Sequence, residues 1–146
     1  MLDKSILDNL EKVRNSTIVI DIETSAFYPN GGKEINIRSD FENYVKFAKV
    51  KWFGAYSYLH NKEYFLVANN NTAQEIMQLL QEHNIIISFN GEEFDFPILV
   101  NNGYVEVEKK YLQIDCKTIL GTANFKNKQG YANKNRALLM DVKLKD

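Results

Sequence analysis

The sequence predicts a mixed α/β sheet with helices packed on it. Two apolar runs of strand length, 17–23 and 85–89, are separated by an aromatic-rich hairpin and a helix. The order strand, hairpin, helix, strand, helix, strand is typical of an α/β domain. Acidic residues lie at or just after the end of both runs, and open α/β sheets gather their ligands at the carboxyl ends of strands. These ends are therefore the candidate functional site.

The chain is predicted to open with a short amphipathic helix. Its apolar residues fall at helical spacing, and they are Leu2, Ile6, Leu10 and Val13. After the first strand, the Pro-Asn-Gly-Gly sequence at 29–32 predicts a loop. Beyond it, Phe41, Tyr44, Val45 and Ala48 repeat at i, i+3, i+4 and i+7. This spacing predicts one or two helical turns.

Residues 17–23 are predicted to form a central strand of the sheet. Alternation places Ile18, Ile20 and Ile22 on one face. The other face carries Val19, Asp21 and Glu23. Because both faces are apolar until Asp21, we expect this strand to be covered on both sides.

The remaining elements follow from turn signals and periodicity. Residues 50–59 and 64–67 predict a β-hairpin with its turn at 61–62. Thr72 is expected to cap a helix that runs to about His83 and buries Ile76, Leu79 and Leu80. The strand at 85–89 leads to a helix from about Glu93, which ends at 101–103. Residues 111–114 predict one more strand.

A chain of 146 residues is expected to be one domain, 1–146, with its core at about 15–120. Net charge is −1, but residues 117–146 hold seven bases and two acids. Residues 121–146 are therefore expected to be a basic, irregular tail, which either binds phosphate or is simply solvated.

Composition also limits location and redox chemistry. No apolar run approaches about 20 residues, and no signal-type segment follows Met1. We expect a soluble cytoplasmic protein that does not enter a membrane. The lone Cys116 cannot form an internal disulfide and has no partners at zinc-site spacing.

The first acidic motif is Asp21-Ile22-Glu23-Thr24. Two acids two positions apart on a strand share one face, with Cα atoms about 6.6 Å apart. Carboxylates converging from that separation can hold one divalent ion. A motif of this length also occurs at ordinary strand ends, so alone it indicates little.

The second motif follows the second buried strand. Asn90 ends that strand, and Asp95 lies five residues later in the first turn of the next helix. Helix capping is an alternative explanation, because Asn90 and the acids Glu92, Glu93 and Asp95 would favour the positive end of a helix. Capping does not require Phe94-Asp95 to follow a second buried strand.

Together the two motifs resemble those of the DnaQ-like (DEDD) 3′–5′ exonucleases. Asp21-Ile22-Glu23-Thr24 is similar to the first motif of that superfamily, and Asn90-x-x-x-Phe94-Asp95 to the second. The string 88–97 is similar to forms seen in family-B polymerase proofreading domains and their standalone relatives. The resemblance covers about residues 15–120. It implies a ribonuclease H-like fold.

The resemblance implies a catalytic site that uses two Mg²⁺ or Mn²⁺ ions. Asp21 would bridge both ions, Glu23 would complete the tighter site, and Asp95 would hold the second ion. One ion would activate a water and the other would stabilise the departing 3′ oxygen. Thr24, Asn90 and Phe94 would bind the substrate at its terminal nucleotide or strand end, although Phe94 is equally compatible with the core. The implied partner is a single-stranded DNA or RNA end.

The third motif of the superfamily, an Asp preceded by His or Tyr at four or five residues, is not found. Neither His60 nor His83 has an acid in register, and Asp141 lies ten residues after Tyr131. Tyr111 and Asp115 have the spacing but are predicted on a strand. There they would lie about 13 Å apart, so Asp115 is interpreted as a structural strand-end or helix-cap acid.

The missing motif leaves several hypotheses open. The chain is a fragment without its last helix, or it has lost most activity, or a protein partner or missing segment supplies the motif. The leading hypothesis is a metal-dependent 3′–5′ exonuclease domain. The alternatives are a non-catalytic ribonuclease H-like module that binds nucleic acid or a protein partner, and a generic α/β domain whose strand-end acids have no function.

Overall fold

The structure, a computed structural model, describes residues 3–106 and 108–121 of the chain. The described elements are α1 Lys4–Arg14, β1 Thr17–Ser25, α2 Phe41–Phe47, β2 Lys49–Ser57, β3 Lys62–Val67, α3 Ala73–Gln81, β4 Ile85–Ser88, α4 Asp95–Asn101, β5 Leu112–Asp115 and α5 Cys116–Gly121. The predicted element order is confirmed. No helix of the described residues is long and apolar enough to cross a membrane.

The sheet is mixed and has the strand order β3-β2-β1-β4-β5. Strands β1, β2 and β3 form an antiparallel meander, while β4 and β5 run parallel to β1. The prediction of a mixed α/β sheet with a central first strand is confirmed. The final helix that we expected to be lacking, and the tail at 122–146, lie outside the described residues.

One face of the sheet carries the core. Ile18, Ile20 and Ile22 of β1 are buried there with α3, as predicted. Strands β3, β4 and β5 run parallel, and the crossovers from β3 to β4 and from β4 to β5 move in the same direction, so right-handed connections place α3 and α4 on one face. Buried Ile98 and Leu99 of α4 belong to the same core cluster. We call this the inner face.

Alternation directs Val19, Asp21 and Glu23 of β1 to the opposite, outer face, as expected. On this face Thr17 is buried and Val19 is half-buried, whereas Asp21 and Glu23 are exposed. Cover on the outer face thus reaches the start of β1 and not the two acids. The apolar side chains of α1 are also exposed, since Ile6, Leu10 and Val13 do not pack against the core.

Two local details differ from the sequence predictions. Thr72 occupies the N-cap of α3, but its hydroxyl does not bond to the helix. Instead it donates to the Val67 carbonyl, which secures the end of the hairpin. The hairpin turn lies at 58–61, just before the predicted position, and Asn61 adopts a positive φ of 53°. Asparagine tolerates that conformation better than most residues.

A buried polar cluster joins β2 to the end of α3. The His83 Nδ1 atom lies 2.6 Å from the Leu79 carbonyl, which can only accept, so Nδ1 carries the proton. The neutral Nε2 therefore accepts from the Ser57 hydroxyl at 2.7 Å. Burial lowers the pKa of His83 below its ordinary value. The folded protein thus favours the neutral ring.

We expect His83 to make stability depend on pH. The unfolded chain binds a proton near pH 6.5, whereas the folded chain resists it, so stability is full above that pH and falls as the pH drops below it. Urea unfolding of wild type and His83→Gln at pH 5, 6, 7 and 8 measures this. The wild type should lose more stability than the variant between pH 7 and 5. Parallel curves would contradict the assignment.

Candidate active site

The candidate site lies where β1 continues past the end of β4. Paired residues run from Thr17 with Ile85 to Val19 with Ile87, and β4 ends at Ser88. The backbone N–H groups of β1 beyond this point have no strand partner on that side. Side chains from the β4–α4 connection can therefore reach β1 here. This is the position at which the sequence predicted a site.

Asp95 occupies the position beside β1 just beyond the end of β4. Its Oδ2 atom accepts the Ile22 N–H at 3.1 Å, a contact across 73 positions of sequence. The carboxyl is only 4% exposed. No side chain caps α4, whose N-cap is Phe94, and Asp95 lies in its first turn, where a carboxylate also favours the positive end of the helix. Because β4 ends before this position, the Asp95 carboxylate serves as the hydrogen-bond partner of β1 here.

The ionisation of Asp95 reflects its position. Burial raises the pKa of Asp95 to about 6. The hydrogen bond from Ile22 opposes this shift, and the negative charges of Asp21 and Asp115 add to it. Within residues 3–106 and 108–121, no salt bridge pairs Asp21 or Asp95 with a base. A cation would relieve this concentration of negative charge.

Asp21 and Glu23 lie on the outer face and are exposed. Asp21 pairs in register with Gly54, and Glu23 pairs with Trp52. Asp21 is near enough to Asp95 to raise its pKa. A bulge follows Glu23 between positions 23 and 24. The structure thus brings Asp21 near Asp95.

Divalent metals fit this arrangement in part. Among the residues that the structure describes, no three His, Cys, Asp or Glu side chains converge on one point that could hold a metal ion. The buried, weakly acidic Asp95 and its neighbour Asp21 nevertheless have the oxygen donors that hard cations select. Asp21, Glu23 and Asp95 are the residues that would hold such an ion.

Asp115 organises the connection between β4 and α4. Its Oδ1 accepts N–H groups from Asn90 at 2.7 Å and Lys117 at 2.9 Å, and its Oδ2 accepts from Glu92 at 3.3 Å. The bond to Lys117 caps α5, which confirms the structural role predicted for this acid. The bonds to Asn90 and Glu92 were not predicted, because nothing in the sequence pairs these positions.

Tyr111 is not a general base for this site. Its hydroxyl donates to the Leu80 carbonyl at 2.7 Å, on the side of α3. Burial raises the pKa of Tyr111 to about 12. The predicted strand is present as β5, which begins one residue after Tyr111 and ends at Asp115.

The three predicted substrate-binding residues have partners of their own. Asn90 adopts a positive φ of 61°, and its side-chain oxygen lies 3.3 Å from the Lys117 ammonium. Thr24 shares a 2.7 Å hydrogen bond with the Tyr44 hydroxyl, and Phe94 stacks on the Tyr44 ring at 5.9 Å. Tyr44 of α2 therefore joins the two motifs. The sequence indicated α2 but not this role.

Residue 91 must be a glycine because its Cα lies too close to Ser88 of β4 to carry a side chain. A Cβ atom at Gly91 would lie 2.0 Å from the Ser88 hydroxyl oxygen and 2.5 Å from the Ser88 Cβ. Both distances are far inside van der Waals contact. The Ser88 hydroxyl is itself buried and has no hydrogen-bond partner among the described residues. The strand end and the motif loop are thus packed directly on each other.

A family model described as the RNase_H superfamily matches residues 18–145. This span covers most of the chain, and the strand order and parallel β1–β4–β5 unit agree with a ribonuclease H-like fold. The chain belongs to the RNase H superfamily. Among curated proteins, none matches the chain. Membership of this superfamily indicates a nuclease-like domain related to nucleic acids, and its nucleases generally use divalent metals.

We expect Asp95→Asn to stabilise the protein at pH 8. The raised pKa means that Asp95 disfavours the folded state once ionised, and this cost grows as the pH rises from 3.8 through about 6. The amide can still accept the Ile22 N–H. We expect a gain of about 1–2 kcal/mol in unfolding free energy at pH 8, which disappears near pH 4. Urea titrations at the two pH values measure it, and equal effects at both would contradict the assignment.

We expect Gly91→Ala to destabilise the fold by about 1–3 kcal/mol, because the new methyl group overlaps Ser88. The double variant Ser88→Gly/Gly91→Ala removes both overlapping atoms and should recover part of the loss. Thermal unfolding of the four proteins gives the coupling energy. Additive effects of the two substitutions would show that the close approach does not determine the requirement for glycine.

Proposed function

We propose that this chain is a metal-dependent 3′–5′ exonuclease domain that acts on single-stranded DNA or RNA ends. The observation that carries the proposal is the buried Asp95 carboxyl, with its pKa raised to about 6, held against β1 beside Asp21. Burial of an acid without a base is costly. A site that must attract cations explains why the fold tolerates it.

Each residue of the two motifs has a role in this proposal. Asp21 and Asp95 hold the cation, and Glu23 joins them from the outer face. Divalent ions at such sites activate a water and stabilise the leaving oxygen of a phosphodiester. Asn90, Thr24 and Phe94 position the strand end, and Tyr44 fixes Thr24 and Phe94 relative to each other through the contacts described above.

The general base and the fourth carboxylate are not assigned among the described residues. His83 is buried, Tyr111 donates to a carbonyl, and Asp115 accepts three backbone N–H groups. Asp141 and Asp146 lie outside the described residues. These facts favour a second candidate, a non-catalytic module of the same superfamily that binds single-stranded nucleic acid or a protein partner.

Degradation of 5′-labelled single-stranded DNA and RNA in Mn²⁺ separates the two candidates. The exonuclease should shorten the strand stepwise from the 3′ end. Asp21→Ala and Asp95→Asn should each reduce the rate by at least about 100-fold, the scale expected when electrostatic stabilisation is removed. Glu11→Ala, an exposed acid on α1, is the matched control and should retain full activity.

The same proteins should be tested for metal binding without turnover. Mn²⁺ should raise the melting temperature of the wild type and of Glu11→Ala, but not of Asp21→Ala. Absence of cleavage together with retained, salt-sensitive binding of the labelled strands by Asp21→Ala would establish the non-catalytic module instead.

A further inference from the structure

The connection between β1 and β2 is long for two strands that lie side by side. These strands pair antiparallel, and β1 ends at Ser25 while β2 begins at Lys49. Antiparallel neighbours can be joined by a turn of two residues. Here residues 26–40 precede α2 and form no helix or strand element, and loops of about 12–15 residues or more without regular structure are usually functional. We call residues 26–40 the β1–α2 loop.

The β1–α2 loop has a defined conformation. The Ile35 side chain is buried, and its backbone N–H donates to the Ala26 carbonyl at 2.9 Å. At the end of the loop, the Asp40 carboxylate accepts hydrogen bonds from the Tyr28 hydroxyl and from the Asn43 amide. These contacts tie the two ends of the loop together, so its side chains are presented at fixed positions before any ligand binds.

A cavity of about 580 Å³ lies beside this loop. It is lined by loop residues 34–38 and by Tyr44 of α2. Ligand sites of proteins typically have volumes of about 300–1,000 Å³. Tyr44 is also the residue whose hydroxyl contacts Thr24 and whose ring contacts Phe94. The cavity therefore adjoins the candidate active site, on the side where the two motifs were predicted to bind the strand end.

Arg38 supplies a positive charge to this cavity. Its backbone is fixed, because the Asn36 side-chain oxygen accepts the N–H groups of Arg38 at 2.8 Å and of Ser39 at 3.2 Å. The Arg38 side chain is exposed, and no carboxylate of the described residues forms an ion pair with it. A guanidinium group in this state can donate two parallel hydrogen bonds to a phosphate.

Phe41 adds an exposed aromatic ring three positions after Arg38. It is the first residue of α2 and is 39% exposed, and its ring centroid lies 6.3 Å from that of Phe94. Proteins bind single strands by stacking bases on exposed aromatic rings while cations contact the phosphates. The loop and the start of α2 thus combine both features at one margin of the candidate site.

We propose that Arg38 and Phe41 bind a nucleotide upstream of the 3′ end, with Arg38 at its phosphate and Phe41 stacked on its base. The ligand is a single-stranded nucleic acid, so this inference rests on the substrate class of the proposed function. It does not require cleavage, since both contacts serve binding alone.

The position of the loop fits the path of such a strand. Thr24 lies three residues after Asp21 on β1, so their Cα atoms are about 10 Å apart. A strand with its 3′ end at Asp21 and Asp95 can therefore continue past Thr24 and Tyr44 to the cavity. Glu34 also lines the cavity, and its negative charge opposes a phosphate there. The two charges of the cavity should thus affect binding in opposite directions.

Binding of 5′-labelled single-stranded DNA and RNA, measured by fluorescence anisotropy in EDTA, tests this assignment without cleavage. Arg38→Gln should weaken binding and lower the slope of log affinity against log salt by about 0.7, the value for one phosphate of a single strand. Phe41→Leu keeps an apolar side chain near Phe94 but removes the ring, and should weaken binding about five-fold without changing the slope. Glu34→Gln should tighten binding. Residues that only support the fold would not give these opposite effects.

Lys12→Gln is the matched control, because it removes the same charge from an exposed position of α1. Helix α1 precedes the start of β1, whereas the β1–α2 loop follows its end. The affinity and the salt slope of this variant should equal those of the wild type. Far-ultraviolet circular dichroism and a cooperative melt establish that each variant is folded.

Three results would overturn the proposal. Wild-type affinity in both Arg38→Gln and Phe41→Leu would show that the cavity does not contact the strand. An equal loss of affinity in Arg38→Gln and Lys12→Gln would show general attraction between charges, with no site at the loop. Absence of strand binding by the wild type would overturn it as well.

Failure of the proposed exonuclease activity gives a different result. The wild type would then leave the strands intact in Mn²⁺, while the differences in binding between the variants would remain. If the protein does cleave, Arg38→Gln should raise KM and not lower kcat, because it removes binding that is equal in the ground state and the transition state. Cleavage with an unchanged KM in both Arg38→Gln and Phe41→Leu would keep the exonuclease and overturn the nucleotide site.

Discussion

The hydrogen bond from the Ile22 N–H to the Asp95 carboxylate is the constraint on which the candidate site depends. Strand β1 extends beyond β4, and its backbone donors there would otherwise lack a partner inside the protein. A carboxylate from the start of α4 satisfies one of them. This hydrogen bond fixes the position of α4 against β1, and it also places a buried acid beside Asp21. One contact therefore sets both the local fold and the electrostatics.

Two further sets of contacts hold this arrangement in place. Asp115 accepts three backbone N–H groups, two of them from the loop that leads to Asp95. Tyr44 holds Thr24 by its hydroxyl and Phe94 by its ring. Both act on backbone or side-chain orientation and not on substrate. The site is thus supported by β5 on one side and by α2 on the other, which restricts the freedom of both motifs.

The sequence predicted the five strands and helices α1 to α4, but not α5, because the signals of the predicted elements are local. Alternation identified the buried face of β1, helical spacing identified α2 and α3, and the acids marked the strand ends. It could not predict contacts that depend on distant pairing. Nothing near Thr24 indicates Tyr44, and nothing near Asn90 indicates Asp115. Cover on the second face of β1 was expected from its apolar residues, and burial there includes Thr17 and part of Val19 but not the two acids that follow.

The raised pKa of Asp95 has a consequence for metal binding. A carboxyl that ionises only at about pH 6 is partly protonated in mildly acidic solution, and a proton on it competes with a cation. Apparent metal affinity should therefore fall steeply below pH 6, well above the range in which an ordinary aspartate would lose its charge. Near neutral pH the Asp95 carboxylate is ionised and can bind a cation. Its buried negative charge destabilises the folded protein unless a positive charge lies beside it. Under the proposed function, a bound cation would recover part of the free energy that burial of this charge costs the folded protein, so stability and metal binding would be coupled through Asp95.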